Sequence, residues 1–179
     1  MAEERWISVD VETSGPTPGT GSLLAIGACL VDRPEIGFSI ELLPDPDLPW
    51  SDTAEQIHGL SRSHLARVGR EPAAAMAAFV AWVEEQAGDA RPVFVAFNAT
   101  FDWMWVAEYA WRYVGRNPFG VSGLDLKALY LGREFPAVRR WAETTSDHVR
   151  RRHPIDQPHT HLALDDAREQ AALCRAILG

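Results

Sequence analysis

The sequence predicts an α/β domain in which a mixed central sheet is covered by helices. Three observations predict it. Arg5 to Glu12 sets Trp6, Ser8, Asp10 and Glu12 against Ile7, Val9 and Val11, the period-2 alternation of a strand, and two more β-rich runs follow it. Pro92 to Phe97 is a short apolar run that leads through Asn98-Ala99-Thr100 into a helical stretch, the mark of a parallel crossover. Leu162 to Leu178, rich in Ala, Leu, Glu and Arg, closes the chain as a helix.

Taken in order, the strand over Arg5–Glu12 is followed by strands over Ser22–Val31 and Ile36–Leu43, separated by the Asp32-Arg33-Pro34 turn signal. These form an antiparallel meander. Pro44 to Pro49 breaks regular structure, and Thr53–Ile57 and Ser61–Val68 read as short helices. Glu71–Gln86 carries Ala75, Ala78, Phe79, Trp82 and Val83 at helical spacing, so it is a longer amphipathic helix. After the Pro92–Phe97 strand comes a helix over Phe101–Val114, then a strand over Val121–Leu126 and a short helix to Leu131. Pro136–Pro158 mixes Arg, His and Pro without a regular period. With 179 residues, 46% of them hydrophobic, and no linker or repeat, residues 1–179 read as one domain.

The start, Met1-Ala-Glu-Glu-Arg, lacks the basic leader of a signal peptide, and no apolar stretch approaches the roughly 20 residues of a membrane span. The chain therefore reads as cytoplasmic, without a membrane partner. Cys29 and Cys174 stand apart in apolar surroundings and read as buried free thiols. The net charge is −8, but it is unevenly spread. Arg112 to His153 holds nine Arg or Lys against four acids, a balance of +5, while the remainder holds eight against 21. One basic district on an acidic chain hints at anion binding, or is a solvated arginine-rich surface.

Residues i and i+2 of a strand share a face, so Asp10 and Glu12 project two carboxylates into one small volume. Two such groups repel unless a cation lies between them, and Mg²⁺ and Mn²⁺ are the hard ions that take oxygen ligands. Alone, the pair is weak evidence, since the solvent face of an edge strand commonly carries such pairs. Three further features add weight. Thr13-Ser14-Gly15-Pro16 forms a tight turn whose backbone donors lie at the strand's end. Phe97-Asn98-Ala99-Thr100-Phe101-Asp102 puts an acid where a buried parallel strand gives way to a helix, although Asn98 or Thr100 can simply cap that helix. His161-Leu-Ala-Leu-Asp165-Asp166 places a histidine before two acids in the first turn of the last helix, a position that also stabilises helices.

With these motifs in this order, the sequence resembles the DEDDh exonuclease family, which includes ribonuclease T, oligoribonuclease and the proofreading subunits of replicative polymerases. The resemblance runs from Trp6 to the C-terminus. It implies a ribonuclease H-like fold with a mixed five-stranded sheet, three antiparallel strands and then parallel ones, flanked by helices. It also implies a metal-dependent 3′-to-5′ exonuclease that hydrolyses single-stranded nucleic acid, RNA or DNA, to nucleoside 5′-monophosphates. Asp10, Glu12, Asp102 and Asp166 are then the ligands of two divalent cations, Mg²⁺ or Mn²⁺, and His161 the general base. Asp165 is a neighbour, not a ligand. The same resemblance places Thr13, Ser14, Gly15, His58, Asn98 and Phe101 around the terminal nucleotide, with His58 equally a capping or core residue. Two positions depart from the family pattern: Phe97 stands where many members have histidine, and Ala25 where many have glutamate.

Arg133, Arg139, Arg140 and Arg150-Arg151-Arg152 lie between the second and third motifs and are candidates for guiding the phosphate backbone. Trp82, Trp103, Trp105 and Trp111 fall in helical patterns and read as core or as an interface, the latter a candidate homodimer surface. The contrasting reading is a catalytically silent nucleic-acid-binding or scaffold module on the same fold.

Overall fold

The computed structural model describes residues 3–179. Five strands, β1 (Glu4–Thr13), β2 (Leu23–Leu30), β3 (Gly37–Glu41), β4 (Arg91–Ala96) and β5 (Gly123–Asp125), lie in the order β3-β2-β1-β4-β5. β1 pairs antiparallel with β2, and β2 with β3, whereas β4 joins β1 and β5 in parallel. This is the mixed five-stranded sheet that the family resemblance implies.

Helices α1 (Asp52–His58) and α2 (Arg62–Val68) follow the meander, each opened by a serine, Ser51 or Ser61, whose hydroxyl accepts a backbone N–H from the first turn. One face of the sheet is covered by α3 (Pro72–Ala87) and α4 (Ala99–Val114), which bury Ile7, Val9 and Val11 of β1 against Phe79, Val83 and Trp105. The other face is covered by α5 (Leu126–Glu134), α6 (Ser146–Arg152) and α7 (Ala163–Leu178), with Cys29, Val95, Tyr130 and Cys174 between them. Both cysteines are free and buried. Burial on both faces explains why β2 reads as an unbroken apolar run rather than an alternating one.

The structure adjusts the sequence expectations at several boundaries. β5 is only three residues long, and Val121, expected to begin it, lies in a turn and is 91% exposed. The irregular stretch after α5 contains a short 3₁₀ turn, Trp141–Glu143, and α6. Helix α4 begins at Ala99, and Asn98 makes no side-chain capping bond. Asn98 instead takes a left-handed backbone conformation (φ 63°), which asparagine tolerates better than most residues. Of the four helical tryptophans, Trp105 is fully buried and Trp82 and Trp103 pack against the core, but Trp111 remains 58% exposed. Among the described residues, no helix is long and apolar enough to cross a membrane.

Candidate active site

Asp10 and Glu12 lie near the end of β1, where its parallel partner stops. The β1–β4 pairing ends at Ser8–Val95, so the two strands part beyond it and leave a crevice. The backbone N–H of Val11 there donates to Asp102 Oδ1 at 3.1 Å instead of to a neighbouring strand. This bond draws the first turn of α4 onto β1 and brings Asp102 beside the strand carboxylates.

Asp166 arrives from the opposite face, on the first turn of α7. It is 2% exposed and is held by two backbone donors from the preceding loop, Thr160 N at 2.8 Å and His161 N at 3.0 Å. The helix can come this close because β2 carries glycine opposite Asp10: Gly27 pairs with Asp10, and a Cβ at Gly27 would lie 2.0 Å from the carbonyl carbon of Ala163. The carboxylates of Asp10, Glu12 and Asp166 thereby converge, with one oxygen of each within 4.8 Å of the others.

Electrostatics describe the same crowding. Desolvation, followed by the negative charges of Asp166 and Asp102, pushes Glu12 from its ordinary value near 4.5 to about 8. Desolvation likewise raises Asp102 to about 8, against the lowering effect of the Val11 N–H. Asp10 is raised too, first by burial and then by Asp102, Glu12, Asp166 and Glu169. Carboxylates so placed cannot all carry charge without a compensating cation. An all-oxygen, anionic donor set suits a hard divalent ion such as Mg²⁺ or Mn²⁺, so the residues present fit such a metal.

His161 stands at the mouth of this group. Its backbone is left-handed (φ 57°), an uncommon conformation for a non-glycine residue, and it is fastened by the N–H to Asp166. Its ring lies edge-on to that of His159, with centroids 4.4 Å apart. Two clefts flank the carboxylates. One, of about 520 Å³, is lined by Asp10, Phe97, Arg150, His159, Glu169 and Gln170. The other, of ≈ 260 Å³, is lined by Glu12, Ala25, Leu60, His161 and Leu162. An apolar hollow lined by Trp6, Val31, Arg175 and Leu178 lies away from the carboxylates, at the other end of β1.

The remaining expected residues divide. His58 is buried behind the crevice: its Nδ1 accepts from Leu60 N at 3.0 Å, and burial lowers its affinity for a second proton. It therefore fastens the connection between α1 and α2, and its Nε2 is buried without a hydrogen-bond partner. Thr13, Ser14 and Gly15 are largely consumed by their own turn. The Thr13 hydroxyl donates to Gly15 O at 2.9 Å, Ser14 N donates to Ser22 O at 2.9 Å, and Ser14 Oγ accepts from Ser22 N at 2.8 Å. The expected backbone donors of this turn are thus partly engaged inside it. Asn98 is exposed beside Lys127 Nζ, 3.5 Å away, and half-buried Phe101 packs on Trp105.

The expected run of guiding arginines is also reduced. Arg140 pairs with Glu143, Arg150 with Glu169, and Arg152 with Glu134, so their charge is largely met within the protein. Sequence reasoning passed over two residues of α7 that complete the site. Gln170 donates from Nε2 to Asp10 Oδ1 at 2.6 Å and accepts Phe97 N at 2.9 Å. Glu169, 3% exposed, holds Arg150 and His159, the latter at 2.7 Å. Their positions three and four residues after Asp166, on one face of α7, were the available signal.

Comparison with known proteins shows the family and the fold. Residues 7–174 match the exonuclease family model typified by RNase T. The chain is 40% identical to the 3′-5′ DNA exonuclease Cap18 of Escherichia coli, over 98% of this chain and 92% of that protein. The nuclease domain of 3′hExo, a DEDDh family member bound to rAMP, shares the fold with a TM-score of 0.76 at 13% identity, over 97% of this chain and 91% of that one. E. coli exonuclease I in complex with a dT13 oligonucleotide shares it at 0.73 and 18% identity, where 98% of this chain covers 41% of the longer protein.

Proposed function

The chain belongs to the RNase T-type exonuclease family and is a 3′-to-5′ exonuclease of the DEDDh kind, and from that premise we propose that it shortens single-stranded DNA from the 3′ end, releasing nucleoside 5′-monophosphates. The observation that carries this reading is the convergence of Asp10, Glu12 and Asp166 in the crevice beyond the β1–β4 pairing, with Asp102 anchored to the same strand. The choice of DNA over RNA follows the 40% identical relative.

Asp10, Glu12, Asp102 and Asp166 would hold two divalent cations, Mg²⁺ or Mn²⁺, whose Lewis acidity would acidify the attacking water and offset charge on the leaving 3′ oxygen. The protein's own groups do the rest. His161, exposed at the mouth and fixed through its backbone to Asp166, takes the proton from the attacking water as general base. Gln170 holds Asp10 in one orientation: its Oε1 must accept from Phe97 N, so its Nε2 must face the carboxylate. Phe101 and the Thr13 backbone border the terminal nucleotide, with His58 behind them.

The test is a time course on 5′-labelled single-stranded DNA, single-stranded RNA and duplex, in Mg²⁺, Mn²⁺ or EDTA. A ladder that shortens from the 3′ end of DNA and stops in EDTA is expected. Faster loss of RNA than of DNA would reverse the substrate assignment, and internal fragments would contradict the exonuclease reading.

A further inference from the structure

The loop between α5 and α6 exposes an indole on the protein surface. Trp141 is 52% exposed, and Phe135, earlier in the same loop, is 66% exposed. Lys127 Nζ sits 4.6 Å from the centroid of the Trp141 ring and 3.5 Å from Asn98 Oδ1. Asn98 immediately precedes α4 and stands one turn before Asp102. Lys127 lies in the first turn of α5, which starts where β5 ends beside β4. Trp141, Lys127 and Asn98 are therefore joined by successive contacts that end one helical turn from Asp102.

Lys127 is one of four cations of the basic district without a carboxylate partner among the described residues, with Arg133, Arg139 and Arg151, and it is the one that lies against an indole ring. Of the nine cations between Arg112 and His153, five are paired with carboxylates: Arg112, Arg116, Arg140, Arg150 and Arg152. Among the described residues Lys127 makes no ion pair, and its contacts are an amide oxygen and a ring. An ammonium and an exposed indole side by side are the two elements that hold single-stranded nucleic acid, one meeting backbone phosphate and the other a base face.

We propose that Trp141 and Lys127 form a stacking site for a base upstream of the scissile bond of single-stranded DNA, with Lys127 meeting the adjoining phosphate. The proposal rests on the DNA reading above. It also gives the basic district a narrower role than its composition suggests, centred on one lysine and one tryptophan.

The experiment compares kcat/KM on thymidine octanucleotide with kcat/KM on the p-nitrophenyl ester of thymidine 5′-monophosphate, which has no upstream base. In the wild-type protein the octanucleotide is the better substrate. Trp141→Ala lowers the octanucleotide-to-ester ratio by roughly tenfold, through KM, and Trp141→Phe keeps most of it. Lys127→Met reduces the slope of log KM against log salt by roughly 0.7, the value of one phosphate contact on a single strand. An unchanged ratio in a Trp141→Ala protein that melts like wild type would overturn the proposal. Should Trp141→Ala fail to fold, an unchanged salt slope in Lys127→Met overturns it instead. A wild-type protein that hydrolyses the ester or RNA but no DNA of any length would refute the DNA reading, and this site with it. Cleavage of DNA with no dependence on length would refute the stacking site alone.

Discussion

Gly27→Ala is the most informative single substitution outside the acidic residues, because it adds one methyl group at the seam that sets the distance between Asp166 and Asp10. The new Cβ would lie 2.0 Å from Ala163 C, 2.1 Å from Leu164 N and 2.2 Å from Ala163 O. All three are backbone atoms at the start of α7, so no side-chain rotation relieves the clash. Ordinary carbon contacts begin at about 3.5 Å, and the first turn of α7 must therefore withdraw by about 1.5 Å. Overpacking of this kind costs about 1–3 kcal/mol. In a chain of this size that lowers the melting temperature by roughly 2–4 °C per kcal/mol. The effect on catalysis is larger in proportion, since Asp166 and the His161 loop move with the helix, and a misplacement of about 1 Å costs roughly 100-fold. The assay is kcat/KM on 5′-labelled single-stranded DNA at saturating Mg²⁺, with urea unfolding in EDTA on the same preparations. Activity within twofold of wild type, at unchanged stability, would refute the account of Gly27 as the residue that seats α7.

Four further outcomes follow from the same geometry. Asp102→Asn, which can still accept the Val11 N–H, is expected to remain folded while losing at least 100-fold in kcat; retention of activity would remove Asp102 from the reacting group. Gln170→Ala frees Asp10 to rotate and should raise the Mg²⁺ concentration needed for half-maximal rate, measured by titration, whereas Gln170→Glu adds a further carboxylate and should be worse. In EDTA the stability of the protein should fall as pH rises from about 4.5 to about 8. Glu12 and Asp102 bind protons more tightly when folded, so their neutral forms favour the folded state at low pH and that advantage is lost through their raised values. Millimolar Mg²⁺ should flatten this dependence, and urea midpoints that do not vary with pH in EDTA would contradict the crowding. Trp105→Ala, emptying a fully buried site between α4 and the sheet, should cost about 3–5 kcal/mol by urea unfolding.

Much of the site could be read from the chain because its parts are local. Asp10 and Glu12 share a face by the two-residue period of a strand, and Asp102 falls at a strand-to-helix junction that the apolar run Val93–Ala96 announces. His161 and Asp166 are brought together by a loop and one helical turn. The basic district was less legible. Composition counts arginines, but whether Arg150 or Arg152 meets phosphate depends on Glu169 and Glu134, which other parts of the chain deliver to them. The turn after β1 was similar: its sequence promised free donors, and the return of the chain at Ser22 took one of them.

The sequence by itself determined the kinds of chemical group available, their local pairing and the order of strands and helices, since backbone periodicity and turn chemistry act over a few residues. Only the tertiary structure decided how the groups meet. The parting of β1 from β4 beyond Ser8 exposed the Val11 N–H that anchors Asp102, the bare Cα of Gly27 admitted α7, and Gln170 fixed Asp10 from 160 residues away in sequence. Each of these is a contact between surfaces on different elements. No periodicity records such a contact, because it depends on where whole elements pack against one another.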